Sequence, residues 1–280
     1  MYDRILKICE SKGVLDTRNQ ELKALLLHQV CPASKECWAD GLPKKDQCDR
    51  NAIQIPFIGP AFLASRSRLL VLGQNLNNDG GLFEVHELVV HAQFLIGNGV
   101  RKIRFQDTPT EYAGSLIWHR MAAYASVLLG TEWTIVGDEV MSGSAPLFDN
   151  SAVLANSLSS IAFLELIKCS TPDRPSPPYQ PMWAQCPRLY LTDELTILEP
   201  RCLLVLGKDT FGAFRDALGA SCKPVAEASD STVSLYDCTH QKRNCPLVNV
   251  VHPCAHGGNR SSVLTSLAKL CREYPEHFCR

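Results

Sequence analysis

Ile161-Ala-Phe-Leu-Glu-Leu-Ile-Lys-Cys169, the loop Ser170-Thr-Pro-Asp-Arg-Pro-Ser-Pro-Pro-Tyr-Gln-Pro181, then Cys186 and Arg201-Cys-Leu-Leu-Val-Leu-Gly207 decide how this chain folds. Near-continuous apolar runs bounded by turn formers predict strands buried on both faces, and such strands belong to parallel sheets. The segment therefore predicts a strand ending in a cysteine, a loop carrying a second cysteine, a helix, and another buried strand. Pro172, Pro175, Pro177, Pro178 and Pro181 restrict the loop's freedom and fix its course.

Two further segments extend the pattern. Arg68-Leu-Leu-Val-Leu-Gly73-Gln74-Asn75 is an apolar run ending in a polar pair. Val248-Asn-Val-Val-His252-Pro253-Cys254-Ala-His256-Gly-Gly-Asn259-Arg260 is another, ending in His-Pro and a glycine-containing loop. Ligands bind at such strand ends in open α/β sheets. The first strand is predicted at 68–73, the third at 161–168 and the fourth at 202–207. A second strand is expected at 101–106, and Val233-Ser-Leu-Tyr236 with 247–251 closes the sheet. Helices are expected at 1–30 (broken at Gly13), 84–98, 111–130 and 208–218. Residues 31–60 read as a cysteine- and proline-rich loop, and 131–150 as a polar connection. The alternation predicts a three-layer α/β/α sandwich with a central, mainly parallel sheet. It forms a single domain over 1–280, with 1–60 as a helical, cysteine-rich extension. No internal repeat is present.

At 280 residues and 45% hydrophobic content, the composition is that of a globular protein with a sizeable core. The net charge of −1 gives no global nucleic-acid signature, so any DNA-binding face must be local. Arg174, Lys242, Arg243 and Arg260 are its candidates. Residues 1–7 are charged and amphipathic, unlike a signal peptide. No run approaches the ~20 apolar residues that span a bilayer. A cytoplasmic protein is expected, with no membrane partner. Its thirteen cysteines then read as thiols and ligands more readily than as disulfides. Cys9, Cys202 and Cys271 read as small buried hydrophobes. Cys238 and Cys245, with His240 between them, fit either a zinc site or a hairpin rim.

The three apolar strands and their terminal motifs, in this order, resemble the uracil-DNA glycosylase superfamily. The closest likeness is to its iron–sulfur-containing branch. Gly73-Gln74-Asn75 looks like the motif after that family's first strand, and His252-Pro253 like the motif after its last. Residues 84–150 make the spacing longer than in that branch and read as an insertion. The resemblance implies a four-iron, four-sulfur cluster held by Cys169, Cys186 and two N-terminal cysteines. Cys31 and Cys37 are the expected pair, and Cys48 is an alternative to either. The branch's tight Cys-x-x-Cys is absent here. Thiolates also suit zinc. No nucleotide cofactor is implied.

By the same resemblance, Asn75 orients the water that attacks the sugar, as in the mismatch-specific branch. Gln74 stands where the iron–sulfur branch has glutamate. The bland alternative is that Asn75 caps the turn-rich Leu76-Asn77-Asn78-Asp79-Gly80. His252 donates to the base's O2 as charge develops there, a kind of preorganised contact often worth ~3 kcal/mol. Gly73, Glu165 and Phe83 make up the base pocket. Phe83 either stacks on the flipped base or packs in the core. His256, Asn259, Arg260 and Arg174 are the DNA-binding candidates.

Glu165 departs from the family, which reads uracil with an asparagine at this position. An acid inside an apolar strand is costly without a partner. Ionised, it accepts only and prefers a base with an exocyclic amine. Protonated, it can pair with cytosine's N3 and N4, or with uracil. It can also simply face Lys168 or Arg174. The implied function is a monomeric DNA glycosylase acting on a modified pyrimidine, such as a 5-substituted cytosine of phage DNA. Uracil repair and a catalytically silent DNA-binding module are the alternatives.

Overall fold

The computed structural model describes residues 56–74, 89, 92–93, 96–99, 116–167, 180–219, 221–240, 243–253 and 260–278. The expected helix at 1–30 and strand at 101–106 lie outside these. So do Cys31, Cys37, Cys48, Asn75, Phe83, Cys169, Arg174, His256 and Asn259. Arg260 is described in its backbone only.

In chain order the elements are β1 (Phe57–Ile58), β2 (Leu69–Gly73), α1 (Leu116–Leu128), β3 (Thr134–Val136), β4 (Glu139–Ser142) and β5 (Ala145–Pro146). There follow α2 (Ser151–Ser159), β6 (Ile161–Glu165), α3 (Gln180–Leu198), β7 (Cys202–Leu206) and α4 (Lys208–Leu218). The chain continues through β8 (Ser221–Glu227), β9 (Val233–His240), β10 (Arg243–Val250) and α5 (Arg260–Glu273).

Seven strands form one sheet in the order β1-β6-β2-β7-β10-β9-β8. The inner four, β6, β2, β7 and β10, are mutually parallel. The outer strands β1, β9 and β8 join antiparallel. Side chains alternate between the two faces, as the strand repeat requires. Leu69, Val71, Ile161, Phe163, Leu204 and Val248 pack with α1, α2 and α5. Leu70, Leu72, Ala162, Leu164, Leu203 and Val205 pack with α3 and α4. The fold is thus a three-layer α/β/α sandwich, and burial on both faces explains the unbroken apolar runs. Each fully buried Leu or Val contributes about 1.5–3 kcal/mol, so the inner strands dominate stability.

Several boundaries differ from the sequence reading. Phe57–Ile58, expected in a loop, pairs with Phe163 and Ala162 as a short edge strand. The third strand ends at Glu165, where pairing with β2 stops, not at residue 168. The polar stretch expected as a connection folds into the small antiparallel sheet β3-β4-β5. The helix expected at 84–98 agrees where it is described: Val89, Ala92 and Ile96 are helical and buried, the spacing of a helical face. Strand β8 escaped the apolar pattern because it is an exposed edge strand with Pro224 at a register shift.

Cysteine usage is also corrected. Cys222 on β8 and Cys238 on β9 stand directly opposite one another and form a disulfide, with Cα atoms 4.0 Å apart. Expecting thiols throughout overlooked this cross-strand register. The bond removes Cys238 from any zinc set with Cys245 and His240. Cys245 is Cys238's register partner on the other side, so the three cysteines form a row across β8, β9 and β10. Cys202 and Cys271 are buried, as expected.

Candidate functional site

The parallel strands bring their C-terminal ends to one edge of the sheet. In sheet order these ends carry Glu165, Gly73-Gln74, Gly207 and, just beyond β10, His252. Neighbouring strands lie about 4.8 Å apart, so Glu165 and His252 are three inter-strand gaps from one another. The ends of β2 and β6 stay zipped past the ladder. Leu166 N–H donates to Gly73 O at 2.9 Å, and Ile167 N–H donates to Gln74 O at 2.9 Å. Gln74 is half-buried at this strand end.

Glu165 is 4% exposed, and Gly73 is its register partner. A Cβ on Gly73 would lie 2.6 Å from Glu165 Oε2 and 2.8 Å from the Phe163 ring. The missing side chain at Gly73 is what gives the carboxyl its place. Trp118 of α1 meets the Phe163 ring edge-on, with centroids 5.4 Å apart, and so backs this corner.

His252 sits at the other end of the row. Gly207 N–H donates to Val250 O at 2.7 Å, which fixes β10 against the end of β7. Gly207 has φ +104°, a conformation open to glycine and costly for other residues. The His252 Cβ lies 3.5 Å from where a Gly207 Cβ would be. Asn249, buried on β10, has its amide facing Gly207 O and Val205 O, and with the amide assigned so that its nitrogen faces them it donates to both, at 3.1 Å and 3.2 Å. Burial of the imidazole pushes the His252 pKa below its ordinary 6.5. The ring is therefore neutral at neutral pH, with one nitrogen donating and the other accepting.

Pro253 is held from the helical layer formed by α1, α2 and α5. Arg120 of α1, 5% exposed, donates from Nη1 to the Pro253 carbonyl. A groove of about 570 Å³ lies between α3 and α4, lined by Trp183, Arg188, Lys208 and Asp209 among others. It borders the residue after Gly207, and so flanks the strand ends without lying among them.

Of the expected site residues, the structure brings Gly73, Gln74, Glu165 and His252 to one edge. Cys186 does not lie in the proline loop as expected. It is buried on α3, directly before Pro187, because the helix starts at Gln180. Among the described residues, no group of three or more His, Cys, Asp or Glu side chains could hold a metal ion. Cys186 is the one candidate cluster ligand within the described set. Sequence reasoning missed Gly207, Asn249 and Arg120. The signal for the last two was available: Arg120 is a charged residue in a mostly apolar helix, and Asn249 interrupts the apolar run at 247–250.

No protein-family model matches the chain, and no curated protein matches it. Solved structures include a similar chain, a domain of unknown function (DUF1537) from Bordetella bronchiseptica, with bound citrate, as a domain-swapped dimer. It shares 16% identity at a TM-score of 0.29, over 73% of this chain and 41% of that one. The chain thus spans less than half of that relative's length, and so distant a likeness bears on neither function nor partners. Among the described residues, no helix is long and apolar enough to cross a membrane.

Proposed function

We propose that this protein is a monofunctional DNA glycosylase. It flips a nucleotide out of the DNA and hydrolyses its N-glycosidic bond, leaving an abasic site. The base is a modified pyrimidine, and a cytosine with a bulky 5-substituent, as in phage DNA, suits it best. The observation that carries the reading is the edge on which Gly73-Gln74, Glu165 and His252 meet. Gly73-Gln74 and His252 belong to the two motifs that carry the family resemblance, Glu165 stands where that family has asparagine, and all come from distant parts of the sequence.

In this mechanism the flipped base lies along the strand ends, with its Watson–Crick edge toward Glu165 and its O2 toward His252. As the glycosidic bond breaks, negative charge grows on the departing ring. A neutral, half-buried imidazole donates to O2 in a site where water competes poorly. Asn75, directly after Gln74 in the chain, orients the water that adds to the sugar carbon. Glu165 chooses the base. With its proton, the carboxyl donates to N3 and accepts from the 4-amino group of cytosine. Lys208 and Arg188, in the groove beside this edge, are suited to phosphate.

The four-iron, four-sulfur cluster belongs to the same proposal. Cys186 would be one of its ligands, together with Cys169 and the N-terminal cysteines. Thiolate donors suit iron–sulfur ligation, and a buried position shields a cluster from solvent. Its role would be structural.

The deciding experiment is incubation with duplex and single-stranded DNA carrying uracil, cytosine, or 5-substituted cytosines. Alkali then reveals abasic sites, and released bases are identified by mass. Release of a 5-substituted cytosine in preference to uracil is expected. Release of uracil alone would mean ordinary uracil repair. DNA binding with no release from any substrate would leave a silent binding module.

A further inference from the structure

Residues 84–150 have no counterpart in the resemblance, yet α1 within them reaches the proposed site. This helix, Leu-Ile-Trp-His-Arg-Met-Ala-Ala-Tyr-Ala-Ser-Val-Leu, is apolar apart from His119, Arg120 and Ser126. Met121, Ala122, Tyr124 and Ala125 fill the core beside Arg120. A guanidinium here carries a large desolvation cost, which only well-made polar contacts offset. One such contact is with the Pro253 carbonyl, 133 residues along the chain.

That carbonyl belongs to the residue directly after His252. The β10 ladder ends at Val250, and Val251 N–H donates to Thr232 O at 3.0 Å. Pro253 has no N–H to offer the sheet. Among the described residues, the His252 side chain packs against Gly207, and the Arg120 bond holds Pro253. A charge-assisted bond to a carbonyl is short and directional, and a planar guanidinium resists rotation about it.

We propose that Arg120 is a positioning residue, which locks the His252–Pro253 turn so that the imidazole meets the departing base in one orientation. This rests on the glycosylase reading of His252. It also gives the added segment a role: α1 braces the site from the helical layer it shares with α5. Small displacements of a catalytic group cost rate out of proportion to their size, up to roughly a hundredfold for 1 Å.

The test uses Arg120→Lys and Arg120→Met in the full chain, with two readouts. The first is the titration of His252 in free protein, followed by NMR of labelled histidine and assigned with His252→Gln. The second is kcat and KM on the best substrate. Arg120→Lys keeps the charge but loses the planar fork, so a change in His252 titration there reports altered solvation of a loosened ring. The His252 midpoint is expected to rise toward 6.5 in both variants. In Arg120→Met, kcat should fall by about ten- to a hundredfold with KM changed less than about threefold. Arg120→Lys should recover part of that loss. Unchanged His252 titration and unchanged kcat in either folded variant would overturn the proposal. If Arg120→Met does not fold, Arg120→Lys alone decides it. If the wild type excises no base, the glycosylase reading fails. The titration then still tests the brace: a rise in Arg120→Lys upholds it, and no rise overturns it.

Discussion

The Glu165 carboxylate rests over the Cα of Gly73, its partner in the β2–β6 register, in space that a single methyl group on Gly73 would occupy. The two residues therefore behave as one unit. Gly73→Ala should displace both the carboxyl and the Phe163 ring, at an overpacking cost of ~1–3 kcal/mol in urea denaturation. Combining it with Glu165→Ala should recover part of that cost, since residues in contact are not additive. Strictly additive effects would show that the carboxyl lies elsewhere in solution.

Glu165 should decide which base is removed. Glu165→Asn is expected to shift preference toward uracil by at least about tenfold, because an unmatched buried hydrogen bond costs ~1–3 kcal/mol. Glu165→Gln keeps the shape without the titratable proton, and should lose most on an amine-bearing base. Competition assays with paired substrates measure both. Identical profiles for all three proteins would remove Glu165 from the pocket.

Burial holds the His252 pKa below 6.5, so the ring is neutral at neutral pH. Excision should hold steady through neutral pH and fall only as acid protonates the ring, below 6.5. Stability follows the same sign. Between the lowered pKa and 6.5 the unfolded chain binds more protons than the folded one. Stability therefore rises with pH across that window and is lost as pH falls through it. His252→Gln should flatten this acid limb in a denaturation-versus-pH series and slow excision strongly. A limb unchanged in His252→Gln would assign it to another group.

The cross-strand pair is open to a direct check. Non-reducing peptide mapping should recover Cys222 linked to Cys238. Closing a loop of 16 residues constrains the unfolded chain by about 3 kcal/mol on the chain-entropy account, so reduction should lower the melting temperature. Cys222→Ser should match the reduced protein. Full alkylation of both cysteines without reductant would rule the bond out.

Protein purified without oxygen should be brown, with broad absorbance near about 400 nm from thiolate-to-iron charge transfer. Cys186→Ser should bleach it. Colourless protein with stoichiometric zinc would replace the cluster with a zinc site.

The inner strands were legible because burial on both faces leaves an unbroken apolar run, and α4 because Phe211 and Phe214 stand at helical spacing among polar residues. Gly73, Gln74, Glu165 and His252 were legible as strand ends because each closes or interrupts such a run. What stayed hidden is held by pairing and not by composition. Strand β8 is exposed and contains a proline, so only its partner β9 makes it a strand. Cys222 and Cys238 meet through register, which no spacing rule gives. Gly207, Asn249 and Arg120 act on backbone atoms of other elements, and their partners are known only once the sheet is assembled.

Strand β2 sits between β6 and β7, and that position has a consequence for how the protein is made. Leu69 finds its partners in Ile161 and Cys202, so residues 74–160 must all leave the ribosome before β2 has its first neighbour. Helices α1 and α2 can form early from local contacts, but the apolar β2 waits, with both edges unpaired and the face it turns to α3 and α4 uncovered. Non-local pairing of this kind slows folding and leaves sticky intermediates. Chains truncated before residue 161 should therefore collect in aggregates, and full-length yield should respond to slower synthesis at low temperature and to chaperones that shield nascent apolar segments.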